Sequence, residues 1–354
     1  MSFQINPEIS KASTLPKEFY LDKKYFNFCI ENIFPHSWQM VADKEMLNQS
    51  NIYPFILLPD FLDEPLVLIN NKNEINCFSN VCTHRAHLVA EKPCNGKKLR
   101  CMYHGRTFKM DGNFNSMPGF EEAENFPTEN DNLHSIPSLI WANFIFVSLS
   151  GEIDITPVIN DIKKRIPNYP FKDLVYNENS SKRWEIDTHW ALYCENFLEG
   201  FHVPFVHRGL TKEIDIEKYE TVLLNNAVLQ IAKCDKYCDI LRSPANTNDR
   251  IYGLYYWIFP NIMLNFYSWG LSINIIEPIS TTHTRLRFLS YPIKNKTQPS
   301  KGAATLSQVE TEDQKVVLNV QKGIRSRHYN AGRYSPQYEK GVHHFHLLLD
   351  SYLS

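Results

Sequence analysis

Two short stretches, Cys82-Thr83-His84 and Cys101-Met102-Tyr103-His104, bring two thiols and two imidazoles together with sixteen residues between the pairs. Thiolates and imidazoles are metal ligands. Two close pairs separated by an insert are what two tight loops need to clasp one metal centre. The common zinc site with two cysteines and two histidines keeps its cysteines in one pair and its histidines in the other. Here each pair holds one of each. A cluster of two irons and two sulfides, with both cysteines on one iron and both histidines on the other, needs that mixture, because each loop must reach both irons. A zinc site, or buried thiols beside unrelated histidines, are the competing readings of the same four residues.

The 354 residues leave room for about two domains. Residues 1–35 read as a leading arm with helical pieces, broken at Pro16 and Pro35. Over 36–150 the pattern is one of short strands: Ser37–Ala42, Tyr53–Leu58, Pro65–Ile69, Glu74–Phe78 and Ile140–Val147, with a hairpin signal at Asp111-Gly112. This predicts an all-β domain, a rigid mount for metal-binding loops.

From Ser150-Gly151 onward a second domain, 151–354, mixes helices and strands. Ile159–Ile166 reads as a helix, and residues 184–191 as a strand leading into a helix over Cys194–His202. Tyr219–Ala232, Tyr252–Phe259, Asn261–Pro278 and Thr284–Pro292 read as antiparallel strands. Lys294–Gly302 is a polar linker, and Thr305–Gly323 a helix with Val309, Val316, Val317 and Val320 on one side. The fold class is α+β. The tail's His343-His344-Phe345-His346 reads as solvated rather than as a metal site.

Thirty-seven basic and 39 acidic residues are interspersed for a net charge of −2, which points to neither nucleic acid nor an anionic membrane. Met1–Tyr25 lacks the apolar core of a signal peptide, and the apolar run Leu139–Leu149 is too short to span a bilayer. We expect a cytoplasmic protein with no membrane partner. The six cysteines outside the pairs, Cys29, Cys77, Cys94, Cys194, Cys234 and Cys238, are then expected as reduced thiols.

A second constellation lies in Asn196–His207. Glu199 and His202, three apart, share a helix face. His207, five beyond His202, is too far round a regular helix to join it, but Pro204 bends the chain and can bring both imidazoles to one metal. Two satisfied histidines on a half-buried helix are the plainer reading. Two histidines and one carboxylate would leave one face of Fe(II) open for O2 and substrate. The acids Glu310, Glu312 and Asp313 open the late helix; read alone, Asp313 is a solvated helix start.

The loops Val81-Cys82-Thr83-His84-Arg85 and Cys101-Met102-Tyr103-His104-Gly105 resemble the binding loops of Rieske [2Fe–2S] domains. Taken with Glu-x-x-His-x4-His and a late acidic helix, they make residues 36–330 resemble the catalytic (alpha) subunit of Rieske non-haem iron oxygenases. The resemblance implies an N-terminal Rieske domain followed by a helix-grip, START-like catalytic domain on an antiparallel sheet. It implies a [2Fe–2S] cluster on Cys82, His84, Cys101 and His104, and Fe(II) on His202, His207 and Asp313. Glu199 would be the acid that bridges the two; many members carry Asp there, whereas those resembling choline and carnitine monooxygenases carry Glu. Trp190 and Asn196 fall on family landmarks. His189 stands where Asn is more usual, and Arg106 where Trp is frequent.

Such an enzyme needs electrons delivered singly. The chain has no Gly-x-Gly-x-x-Gly dinucleotide signature, so NAD(P)H would act through a separate flavin or ferredoxin reductase. The family's default assembly is a homotrimer in which one subunit's cluster serves its neighbour's iron. The implied reaction is O2-dependent hydroxylation, mono- or dioxygenation. Tyr252, Tyr255, Tyr256, Trp257, Phe266, Tyr267 and Trp269 would suit a quaternary ammonium of the choline, carnitine or betaine kind through cation–π attraction. They would equally suit an aromatic ring, and most of them simply fill a core. An electron-transfer Rieske protein without oxygenase activity is the alternative of another class.

Overall fold

The computed structural model describes residues 3–234, 241, 250–296 and 306–353, with the Leu306 side chain left aside. Thr305, Cys238 and most of the expected linker lie outside them. The chain forms two compact units, Pro35–Ile153 and, together, Met1–Phe34 with Asp154–Ser354. The leading arm thus clusters with the later unit. Its helices α1 (Lys17–Leu21) and α2 (Lys23–Asn32) bury Phe19, Tyr20, Tyr25 and Phe26.

The first unit is built from short antiparallel strands. β1 (Gln39–Asp43) leads into helix α3 (Lys44–Gln49), whose first N–H groups bond to the Asp43 carboxylate. Then come β2 (Ile52–Leu57), β3 (Glu64–Asn71), β4 (Glu74–Ser79), β5 (Leu99–Arg100), β6 (Thr107–Phe108), β7 (Phe114–Ser116), β8 (Ser135–Ile136), β9 (Ser138–Trp141) and β10 (Phe144–Val147). They make three sheets, ordered β1-β10-β9, β2-β3-β4-β8 and β5-β6-β7. The expected hairpin is the β6–β7 pair, with Gly112 at φ 81° in its turn. Cys82 and Cys101 belong to the apolar core of this unit, packed with Ile52, Val67, Phe78 and Phe108.

The second unit continues with helix α4 (Thr156–Arg165), strand β11 (Lys182–Ile186) and helices α5 (Trp190–Phe197) and α6 (Val203–Val206). Strands β12 (Asp215–Leu224), β13 (Ala227–Lys233), β14 (Ile251–Ile258), β15 (Ile262–Phe266), β16 (Gly270–Ser280) and β17 (His283–Pro292) follow, then α7 (Leu306–Gly323) and α8 (Lys340–Leu353). The strands form one seven-stranded antiparallel sheet, ordered β11-β17-β16-β15-β14-β13-β12. β15 and most of β16 are buried on both faces, so a layer covers each side. Helix α5 packs against α7 and β16.

Several expectations need correction. Tyr219–Ala232 is two strands, because Asn225-Asn226 makes a tight turn between β12 and β13, and Asn261–Pro278 is broken in the same way at Tyr267–Trp269. The helix expected over Cys194–His202 stops at Phe197 and restarts at Val203. Pro204 explains the restart, since a residue without an N–H is at ease in a first helical turn. On α7, Val317 is buried but Val320 is exposed.

The histidine tail is not solvated. It lies on α8, where His343 and His344 donate to the carbonyls of Asn6 and Leu224 (2.8 and 2.7 Å) and His346 Nδ1 meets the Tyr334 hydroxyl (2.7 Å). An apolar stripe on α8 buries them among partners scattered along the chain, which a local reading does not reveal. Cys234 is disulfide-bonded, so not all six remaining cysteines are reduced thiols; pairing depends on two sulfurs meeting in space, which composition does not report.

Gly341 of α8 sits where a Cβ would come 2.3 Å from the Leu198 carbonyl oxygen, in the turn after α5. Gly341→Ala should therefore destabilise the protein by about 1–3 kcal/mol, the usual cost of overpacking. Denaturant unfolding measures it; an unchanged midpoint would show that α8 does not bear on that turn.

Candidate metal centres

The first centre sits on two loops built alike. Cys82 N–H donates to the His87 carbonyl (2.9 Å) and Ala86 N–H to the Cys82 carbonyl (3.0 Å). In the second loop Cys101 N–H donates to the Arg106 carbonyl (2.8 Å) and Gly105 N–H to the Cys101 carbonyl (3.1 Å). Ala86 and Gly105, equivalent positions, both take left-handed φ, 56° and 77°. Glycine does so freely, whereas alanine is held there by its loop, so nothing in the sequence marks Ala86.

Cys82 and Cys101 are 3% and 2% exposed, whereas His84 is half-buried and His104 exposed. The two imidazole rings stand 4.8 Å apart, nearly perpendicular. Burial pushes the Cys82 thiol up, and Cys101 beside it pushes the same way. Desolvation, with the charges of His104 and Arg106, holds His84 below the ordinary histidine value, which favours the neutral, ligating ring.

A tetrahedral zinc with bonds of 2.0–2.3 Å would draw four donors to within about 4 Å of one another. Among the described residues, the one group of three or more His, Cys, Asp or Glu with donors gathered within 4.8 Å is His202, His207 and Asp313. The first-unit donors pair instead, thiol beside thiol and ring beside ring, which fits two irons and not one zinc.

Arg106 ties the loops together. Its buried guanidinium donates to Thr83 Oγ1 in the first loop (2.6 Å) and to Asp131 Oδ1 (2.9 Å). It also lies over the rings of Phe114 and Phe126, at 5.2 and 5.4 Å. Thr83 in turn donates to the Asp131 carbonyl. An arginine suits this position because its planar fork can bond in two directions while its faces stack on rings.

The second centre is assembled from three segments. Gly200 and the turn it occupies follow α5, and here Glu199 takes two bonds from His202: the backbone N–H to Oε2 (3.0 Å) and Nδ1 to Oε1 (2.6 Å). His207, at the end of α6, turns its Nδ1 to Glu312 Oε2 (2.7 Å). Both Nε2 atoms then converge, 3.1 Å apart, with Asp313 Oδ1 2.9 Å from His207 and 3.4 Å from His202. Burial opposes charge on both rings, but Asp313 and Glu199 outweigh it and hold His202 up at about 10; Asp313 and Glu312 raise His207. Burial likewise opposes charge on Asp313, yet the two imidazoles keep it below the usual carboxylate range.

Two imidazole nitrogens and one carboxylate oxygen on one side of a point are the donor set of a non-haem Fe(II) site. The structure brings together Glu199, His202, His207 and Asp313, and it adds Glu312, which sequence reading passed over as a helix-start acid. Nothing local distinguishes Glu312 from Glu310. His189, in place of the more usual Asn, caps α5 by accepting Ala191 N–H at 3.3 Å, and its burial holds it down at about 3.

A cavity of about 140 Å³ opens beside the triad. Tyr193, Tyr219, Tyr252, Tyr255, Tyr267 and Phe288 supply its aromatic wall, and Asn196 and Glu310 also line it. Tyr256, Trp257 and Phe266 point into the core instead. Burial pushes the Glu310 carboxyl up to about 7, with Lys182 opposing.

Comparison with known proteins places the two units in described families. The family model for the Rieske [2Fe-2S] domain matches residues 37–127, and that for the ring hydroxylating alpha subunit (catalytic domain) matches 175–354. The chloroplastic choline monooxygenase of Arabidopsis thaliana is 26% identical over 98% of this chain and 85% of its own. The carnitine monooxygenase oxygenase subunit of Escherichia coli (strain K12) is 26% identical over 98% and 95%. Among solved structures, the quaternary ammonium Rieske monooxygenase CntA with L-carnitine superposes with a TM-score of 0.76 at 23% identity, over 99% of this chain and 98% of that one. Naphthalene 1,2-dioxygenase from Rhodococcus sp. gives 0.72 at 15%, over 96% and 94%. At these identities the structures share the fold.

Replacing Arg106 by Leu strands the Asp131 carboxylate and unties the loops. We expect a loss of about 3 kcal/mol, the lower end for a buried pair because Asp131 keeps some water, and a cluster that bleaches sooner in chelator. Adding Asp131→Asn should restore part of the stability; a double variant as weak as the single one would mean that the pair is not what Arg106 provides.

Proposed function

The chain belongs to the family of ring-hydroxylating alpha subunits with a Rieske domain, and from that membership we propose that it hydroxylates a small quaternary ammonium compound with O2. The carrying observation is the convergence of His202 Nε2, His207 Nε2 and Asp313 Oδ1 beside a tyrosine-lined cavity. The relatives named as choline and carnitine monooxygenases support the substrate class. An electron-transfer protein would have no use for the second unit.

In this reading Cys82, His84, Cys101 and His104 hold the [2Fe–2S] cluster, and His202, His207 and Asp313 hold Fe(II). When bound, the cluster passes single electrons from a reductase and the Fe(II) activates O2. The protein's own share is orientation. Glu199 and Glu312 each take the Nδ1 proton of one ring, so both Nε2 lone pairs face the third ligand. Asp313, Glu199 and Glu312 favour the charged form of both rings, so Fe(II) would compete with protons for the triad and would be held more tightly as pH rises. The tyrosine wall offers ring faces to a cation that has no proton to donate.

Electrons originate from NAD(P)H through a separate flavin or ferredoxin reductase. The active form is a cytoplasmic homotrimer in which Glu199 also meets a cluster histidine of the neighbouring subunit. The CntA structure, described as revealing inter-subunit electron transfer in that enzyme, supports such an assembly.

The direct test supplies the anaerobically purified holoenzyme with a surrogate reductase, NAD(P)H and O2. Product formation is scored against a panel of quaternary ammonium compounds and planar aromatic rings. Product from the ammonium compounds, matched to O2 consumed, is expected; product from the rings alone would reassign the substrate.

Three variants separate the roles. Asp313→Ala should lose mononuclear iron and turnover while keeping the cluster's absorbance. Glu312→Gln should keep the metal but weaken it about 10–100-fold, as outer-shell losses do. Iron analysis after dialysis decides, and wild-type retention in Asp313→Ala moves the ligand elsewhere. Glu199→Gln should keep both metals, yet its reduced cluster should reoxidise slowly on mixing with substrate and O2. A wild-type rate in stopped-flow absorbance removes Glu199 from the electron path.

A further inference from the structure

The cavity wall holds one acid that neither histidine uses. Glu199 and Asp313 are bonded to His202 and His207, but Glu310, one turn before Asp313 on α7, reaches no imidazole. Its side chain is 16% exposed, and Lys182 Nζ stands 3.9 Å away, too far for a hydrogen bond. That lysine is 43% exposed and donates instead to Ser307 Oγ, so water screens much of its charge. Glu310 lines the same cavity as Tyr193 and Tyr267.

Building on the quaternary ammonium reading, we infer that Glu310 is the counter-charge for the substrate's cationic head and that the cavity selects a monocation over a zwitterion. Among the described residues no lysine or arginine lines the cavity, while Glu199, Glu310 and Asp313 do. A quaternary ammonium cannot donate a hydrogen bond, so ring faces and a nearby carboxylate are the two things that recognise it. A zwitterion brings a carboxylate of its own, and the imidazoles that line the wall are already bonded to Glu199, Glu312 and Asp313. A neutral molecule of the same shape would meet the ring faces but gain nothing from the Glu310 charge. Because Glu310 and Asp313 are one turn apart, with roughly 5–6 Å between their Cβ atoms, a head held at Glu310 sets carbons close to nitrogen before the triad. Glu310 is thus a specificity-determining residue, distinct from the metal ligands.

Calorimetric titration of the anaerobic holoenzyme tests this with three probes: choline, its neutral carbon isostere 3,3-dimethylbutan-1-ol, and carnitine as the zwitterion. Wild-type protein should bind choline on the order of tenfold tighter than either of the others. Glu310→Gln should bring choline and the isostere to within about twofold while leaving the isostere's own Kd unchanged. Should that variant lose iron or fold poorly, Lys182→Met gives an independent reading: it removes the competing ammonium at a half-exposed position and should tighten choline about two- to threefold without affecting the isostere. Carnitine binding tighter than choline in the wild type overturns the inference. So does a choline-to-isostere ratio that neither variant moves, and in that case the quaternary ammonium reading still stands. If choline and carnitine bind no better than the isostere, both readings fall together.

Discussion

Two carboxylates, Glu199 and Glu312, each take the Nδ1 side of one histidine, and the catalytic unit is arranged so that they can. An imidazole presents a lone pair at Nε2 only when its other nitrogen is committed as a donor. Holding two rings this way puts Glu199, Glu312, Asp313, His202 and His207 into one half-buried cluster. Three acids against two imidazoles leave negative charge uncompensated even with both rings protonated. That excess of negative charge is what raises both histidines against the cost of their burial.

The surrounding elements serve that geometry. The break between α5 and α6 lets Glu199 reach both the backbone and the ring of His202, which an unbroken helix would prevent. Gly341 allows α8 to lie directly on the Leu198 carbonyl and brace the turn. His189 and Gln321 secure the start of α5, since the His189 N–H donates to the Gln321 side chain at 2.8 Å. In the Rieske unit Arg106 plays the equivalent part, bonding one loop from the end of the other. At both sites the converging side chains are held by neighbours whose own positions are fixed.

The cavity shows how one strand serves two purposes. On β14, Tyr252 and Tyr255 line the cavity, whereas the Tyr256 side chain lies in the core with its hydroxyl on Asp161 (2.7 Å). Tyr255 and Tyr256 face opposite ways as neighbours on a strand do, and the register shift against β13 between Gly253 and Ile251 brings Tyr252 to the cavity as well. Burial keeps the lining phenols neutral, so they present ring faces and hydroxyls rather than charge.

By itself the sequence determined the chemistry that depends on spacing along the chain. The mixed Cys/His pairs require two short loops, and short hydrophobic strands with polar turns between them require antiparallel sheets, so the α+β class and the two loops were legible. Glu199, His202 and His207 were legible too, because their separation is local even though the helix proved to be a turn. Spacing alone left Glu310, Glu312 and Asp313 equal at a helix start, with Asp313 singled out only by the resemblance, and it is the rotation of α7 that sets Glu312 on His207, 105 residues earlier, and Glu310 on the cavity. Tertiary structure also buried the histidines of α8, bonded Cys234, and gave Arg106 its place between the loops. These are facts about distance through space between residues far apart in sequence, and a linear pattern carries no measure of that distance.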